Sequence, residues 1–519
     1  MPELKSKFWS ELGLIVFSLA LCALASYRFL HSISPGFPLD DAYIHLCYAR
    51  NLAEGAGFCF NKGGPSFGTS SPLWVFILAL WIKRSEPHLL IYSLSGFFFW
   101  LGLYFSMLIM RRNLKTLSLD RFSEFLFIVF PAVFLTSIGN YLWITFSGME
   151  TSLWIGLSIV AVYFLIRPKP RFAGYIVLGL GALARLNVVL LILLVLFWQM
   201  IFLKERKKLA LKFLPSFLIP LAFHIWAKFS LGSFLPTTHS GKLASHLFES
   251  GFSPKAFLRF LEGHLIYLKT CAPELIFGLG LVFLGLTLIW LLRKPAIKIG
   301  QIGVFCGFVC GIFAYHSLFF RSVILITPYQ NFRYQALFFP LLALGLSWVG
   351  AQIFSLSKNL KVKIFVGASL IVILGVSFGH FDFWKRLYKL QAENLRLVHR
   401  KAGEWIAKNL HQTAKIASFD IGAIGFYSQR KIIDLGGLIN PDIHPFLKRK
   451  ETGKYLHLKK PDYYIELKMP DCESILGVRK YLGRFYSFVP LVAFSGKMIS
   501  EPVVLHSWAL KVHRFNWLK

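Results

Sequence analysis

The chain reads as a polytopic α-helical membrane protein, with about eleven transmembrane helices and a C-terminal extracytoplasmic α/β domain. Three observations carry that reading. Of the 519 residues, 55% are hydrophobic and 17% aromatic, too apolar for a soluble chain of this length. Apolar runs recur up to residue 380, separated by short basic clusters. Beyond Phe381 the long runs stop, and polar, turn-rich sequence with short apolar segments takes over.

The net charge is +32, from 57 Lys and Arg against 25 Asp and Glu. Such an excess would also suit a nucleic-acid binder. Here, however, the basic residues gather between apolar runs, at Arg111 to Lys115, Arg167 to Arg171, Lys204 to Lys208, Arg293-Lys294 and Lys358 to Lys363. That is the positive-inside distribution of a membrane protein and no groove-lining patch, so no nucleic-acid partner is expected.

The runs fall at 11–30, 88–110, 122–138, 151–166, 172–184, 187–203, 210–228, 273–292, 300–320, 335–356 and 362–380. Lys5 and Lys7 precede the first, and no small-residue cleavage site follows it, which predicts an uncleaved helix with a cytoplasmic N-terminus. Residues 31–87 then form an extracytoplasmic loop. The run 72–82 is too short to cross and reads as an interfacial helix. A break near Arg185-Leu186-Asn187 divides 172–203 into two short helices, and eleven crossings leave everything after residue 381 outside a plasma (inner) membrane. The domains are therefore 1–381 in the membrane and 382–519 in solution.

In the soluble part, Leu387, Gln391, Leu395, Val398, Ala402, Trp405 and Asn409 recur at helical spacing. Strands are predicted at 415–419, 424–427, 431–435, 463–466 and 503–506. The glycine-rich strings Asp420 to Tyr427 and Asp434 to Pro441 fit neither a Walker loop nor a dinucleotide fingerprint, and no helix is expected after either. Among seven cysteines there is no Cys-x-x-Cys pair. Cys47 and Cys59 share the outer loop, and a disulfide and two free thiols are both open there.

The stretch with chemical content is Asp40-Asp41-Ala42-Tyr43-Ile44, directly after the first run. Two adjacent acids at a membrane exit serve either as a helix N-cap with a solvated neighbour or as a functional pair. The string continues through Tyr48-Ala49-Arg50-Asn51-Leu52 to Gly68-Thr69-Ser70-Ser71-Pro72-Leu73-Trp74. This pattern resembles the first periplasmic loop of GT-C glycosyltransferases, most of all the bacterial branch that includes the mycobacterial arabinofuranosyltransferases. Ser147-Gly148-Met149-Glu150-Thr151, Leu183-Ala184-Arg185, Ser230 to Lys242 and Asn331-Phe332-Arg333-Tyr334 resemble further loop elements of that family. Two departures stand out: Leu186 replaces a proline and Thr237 an asparagine. The glycine-rich strings resemble the C-terminal periplasmic domain of the same branch.

The resemblance implies a GT-C-like fold and transfer of a sugar from a polyprenyl-phosphate donor to a cell-envelope glycan or lipid acceptor, since nucleotide sugars are absent outside the membrane. A hydroxyl nucleophile needs a base, and correspondence with the family assigns Asp40, with Asp41 the close second. Attack opposite the leaving phosphate gives inversion. The phosphate calls for cations, and Arg333, Lys242 and Arg185 are the candidates, each alternatively a snorkelling interface residue. Glu150 contacts substrate or caps the helix opening at Thr151, Gly148 giving substrate room to approach. Tyr43, Thr69 and His239 complete the expected substrate contacts. No cofactor and no metal cluster is predicted, a divalent ion remaining open. The alternative function is a lipid or solute transporter, disfavoured because the acids lie in a loop and no internal repeat is found. A sugar-binding scaffold without catalysis would have no need of paired acids.

Overall fold

The protein is described from a computed structural model. It covers residues 2–167, 169–202, 209–244, 248–249, 258, 262, 265, 268–269, 271–293, 321–322, 331, 333–468, 486–501 and 504–517. After the long first helix α1 (Pro2–Leu30), the chain turns into α2 (Asp41–Ala53) and a short hairpin, β1 (Cys59–Asn61) with β2 (Gly64–Pro65). Two prolines at first-turn positions then start helices, where a missing N–H costs nothing: α3 (Pro72–Trp81) and α4 (Pro87–Leu114). The Asp120 side chain caps α5 (Arg121–Ser137) by accepting the Ser123 N–H at 3.0 Å. Extended backbone at Ile138 bends the chain by 70° into α6 (Gly139–Phe146).

The following elements are α7 (Thr151–Leu165), α8 (Phe172–Ala184), α9 (Val188–Phe202), α10 (Leu209–Ser230) and α11 (Thr237–Ala244). A two-residue pair, β3 (Phe248–Glu249) with β4 (Arg321–Ser322), and the helices Pro273–Arg293 and Phe338–Leu356 follow. In the bundle α7 packs between α4 and α8, α8 also lies on α10, and α5 packs on Phe338–Leu356. Among the described residues five helices are long and apolar enough to cross a membrane, or six if bent α5 and α6 form one span. Apolar helices at 151–165, 172–184, 188–200 and 273–289 are shorter, and the run at 300–320 lies outside the described residues.

The expected boundary at residue 381 falls inside one continuous helix, Leu360–Leu395, which passes through a π-helical turn (Arg396–Arg400) into Lys401–Asn409. Composition changes there without a chain break, because Trp384 and Tyr388 still face the bundle. The Trp384 indole donates to Cys271 O at 2.9 Å and the Tyr388 hydroxyl to Phe146 O at 2.7 Å.

Beyond it, β5 (Lys415–Ser418), β6 (Lys431–Asp434), β7 (Tyr463–Lys468), β8 (Tyr486–Glu501) and β9 (Val504–Trp517) form one sheet in the order β6-β5-β7-β9-β8. β5 runs parallel to β6 and β7, and β9 antiparallel to β7 and β8. Two expectations fail around β6. Residues 424–427 are no strand, and helices do follow both glycine-rich strings, Gly422–Ser428 after Asp420 and His444–Lys448 after Pro441. A short apolar run leaves helix and strand undecided. Here packing against α2 and Lys401–Asn409 decides, with Ala423, Ile424 and the small Gly422 and Gly425 buried in the contact. Cys47 and Cys59 are both free and buried, their thiols directed at Gly422 O and Ala56 O.

Candidate active site

Successive residues on an α-helix point about 100° apart, so the neighbours Asp40 and Asp41 cannot face the same space. The first turns of α2 divide accordingly. Asp41, Ile44 and His45, at i, i+3 and i+4, line a cavity of about 420 Å³. Asp40, Tyr43 and Cys47 face the C-terminal unit. Both Asp40 carboxylate oxygens accept backbone N–H bonds, from Gly422 at 2.7 Å and Ala423 at 2.8 Å. Burial and the neighbouring Asp420 push the Asp40 carboxyl up to about 6, against the pull of His399 and the two amides.

The opposite wall is cationic. Arg185, in extended backbone at the end of α8, pairs with Glu150, which is fully buried at the start of α7. Burial works to raise the Glu150 carboxyl, but Arg185 and His45, with Arg333 behind them, outweigh it and hold it well below the usual carboxylate range. His45 Nε2 lies 3.4 Å from Glu150 Oε2, and Nδ1 is 2.8 Å from the Thr69 hydroxyl. In the neutral imidazole the Nε2 proton thus points at Glu150, and Nδ1 accepts from Thr69. Arg333, only 2% exposed, brings Nη2 to 3.8 Å from Asp41 Oδ2 and stands 5.1 Å over the Tyr334 ring. Its Nε and Nη1 make no hydrogen bond among the described residues. Among the described residues of the lining, Arg185 is paired with Glu150, and Arg333 keeps two unbonded nitrogens to oppose a ligand's negative charge.

Of the residues singled out from sequence, Asp41, Thr69, Arg185 and Arg333 meet at the cavity, and Glu150 sits behind it holding Arg185. Asp40 and Tyr43 are not in its lining. Tyr43 packs against Phe37 and Tyr427 at ring distances of 5.4 and 5.6 Å. Lys242 and His239 lie on α11, beside the cavity residues Thr238 and Ser240, and their side chains fall outside the described residues. Gly148 makes room for Ala42 and Phe37, not for substrate. Sequence reading missed His45, which the i+4 spacing from Asp41 could have offered. It also missed Asn187, Tyr334 and Leu438, which reach the cavity from three separate segments. Among the described residues no three His, Cys, Asp or Glu side chains converge as metal ligands.

Two solved proteins share this architecture across nearly the whole chain. ArnT from Cupriavidus metallidurans, bound to undecaprenyl phosphate, superposes with a TM-score of 0.56 at 13% identity, covering 96% of this chain and 98% of its own. Its apo state gives 0.53 at 12% identity, covering 97% and 98%. The archaeal oligosaccharyltransferase AglB from Archaeoglobus fulgidus, in complex with an inhibitory peptide and a dolichol-phosphate, gives 0.56 at 11% identity, covering 97% of this chain and 74% of its own. The chain shares the fold of these proteins. In that fold, the loop bearing α2 and the ends of α7 and α8 wall the cavity just described. A domain family of unknown function, DUF8728, matches residues 386–501, the end of the long helix and most of the sheet unit. No curated protein matches the chain by sequence.

Proposed function

We propose that this GT-C protein is a membrane glycosyltransferase. It transfers a sugar from a polyprenyl-phosphate donor to a hydroxyl of a cell-envelope glycan or lipid on the extracytoplasmic face of the plasma membrane, with inversion. The observation that carries the reading is the pairing in one cavity of the half-buried Asp41 carboxylate with the buried, incompletely bonded guanidinium of Arg333. Asp41 takes the acceptor hydroxyl's proton as the new glycosidic bond forms, and Arg333 binds the phosphate that leaves with the bonding electrons. This reading gives the base role to Asp41 in place of Asp40, whose two oxygens are already occupied by amides. Thr69 and Asn187 offer hydrogen bonds to sugar hydroxyls, and Arg185 is steadied by Glu150 to flank the phosphate. The undecaprenyl and dolichol phosphates bound by the two structural relatives support a donor of that class.

The test is transfer by the purified chain in lipid nanodiscs, offered synthetic polyprenyl-phosphate sugars and a glycan acceptor. Polyprenyl-phosphate arabinofuranose is the first to try, given the loop's resemblance. Asp41→Asn should lower transfer by roughly 10²–10⁴-fold while leaving donor affinity near native. Native-rate transfer by that variant, or a product with retained anomeric configuration, would remove the assignment.

A further inference from the structure

We propose that Asp40 is a positioning residue: it clasps the C-terminal unit onto the amino end of α2 and thereby fixes the Asp41 carboxylate in the cavity. The clasp joins residues more than 380 positions apart, since the two amides on Asp40 open the helix Gly422–Ser428. The approach depends on a missing side chain. A Cβ on Gly422 would collide with Asp40 O and lie 2.9 Å from its Oδ2, so only glycine lets the helix end reach the carboxylate. Behind it, the buried His399 holds Asp420 of the same turn through Nε2 at 2.9 Å.

The surrounding contact is built with the same specificity. The Asn61 side-chain amide donates to Ile432 O at 2.9 Å and accepts from Ile432 N at 2.9 Å, and Arg50 donates to Phe426 O at 2.6 Å. Thr237, at the start of α11, donates to Leu438 O, and Leu438 is itself part of the cavity wall. Asp40 O accepts the Tyr43 N–H at 3.0 Å within the first turn of α2. A rotation at Asp40 therefore turns Asp41, the next residue along the backbone, away from Arg333. The region matched by DUF8728 thus supplies a wall of the cavity and the anchor for its acid. The positioning claim rests on the base role given to Asp41 above.

The experiment uses the full chain in nanodiscs, native and as Asp40→Asn and Gly422→Ala, the second keeping both carboxylates but forcing the clasp apart. Hydrogen exchange over 422–428 should accelerate about tenfold or more in both variants. Labelling of an introduced Asp41→Cys thiol by a maleimide should change by about fivefold or more when Asp40→Asn is added. Turnover per folded molecule should fall about tenfold or more in both variants, with donor KM within about threefold of native, a split that mere loss of stability would not produce. Native exchange in both variants overturns the clasp. Faster exchange with unchanged labelling of the introduced thiol, or with native kcat, overturns the positioning role. A native chain that transfers no sugar overturns the proposed function instead, and the exchange and labelling results still decide the clasp.

Discussion

Gly148 holds φ at +86°, and a Cβ there would come within 2.6 Å of Ala42 Cβ and 2.8 Å of the Phe37 ring. Gly148→Ala therefore meets both backbone strain and a clash against the helix that carries Asp41. It should cost about 1–3 kcal/mol in a denaturation experiment. Arg333 makes a different prediction, because its guanidinium is buried with two nitrogens unbonded among the described residues. Arg333→Gln should weaken binding of undecaprenyl phosphate by about 1.5–3 kcal/mol, roughly 10- to 150-fold in Kd, with little change in thermal stability. A snorkelling arginine would show neither effect on the ligand. At this scale the sequence displayed the acid pair, and correspondence with the family favoured Asp40, whereas Asp41 is the member that lines the cavity. That choice depends on which way the first turn of α2 is rolled, and the roll is set by Gly422 and Ala423 at the far end of the chain.

Between elements, the start of α7 and the end of α8 are joined by Glu150 and Arg185, 0% and 5% exposed. Arg185→Met leaves a carboxylate buried without its main partner and should cost about 3–5 kcal/mol, whereas Arg185→Met with Glu150→Met should recover most of that loss. Chemical denaturation of both variants measures the difference, and equal losses would show that the pair does not act as a unit. The helix Gly422–Ser428 shows why element type was only partly legible. Its seven residues carry too few turns to declare a period, and the surfaces of α2 and Lys401–Asn409 select the helix. The long spans and the strands β5, β6 and β7 needed no such arbitration, since their apolar length or β-branched content already matched one structure.

For the whole molecule, the half-buried Asp40 and the buried Asp434 carboxyls point to a pH dependence. Burial pushes Asp40 and Asp434 from 3.8 up to about 6, Asp434 despite the amides of Ile439, Gly436 and Leu438. Burial works to lower His399, but its contact with Asp420 outweighs this and raises it. Groups raised on folding stabilise the fold fully below their unfolded values and lose that contribution as pH rises through the folded ones. Thermal stability of the unit should therefore fall between about pH 4 and pH 6, each carboxyl contributing up to about 3 kcal/mol of the change. Asp40→Asn should flatten this slope, and melts at four pH values across the window would reveal an unchanged slope if Asp40 is not involved.

By itself the sequence determined the membrane class, the position of the acid loop and the strand-bearing C-terminal region, because apolar length, charge clustering and turn residues are local properties of the chain. The tertiary structure alone decided that Asp41 and not Asp40 enters the cavity, that His45, Tyr334 and Leu438 join it, and that the long helix from Leu360 carries the membrane region into the sheet unit without a linker. Those outcomes depend on contacts between residues hundreds of positions apart, where helix roll and side-chain packing are set by partners that no local pattern reveals.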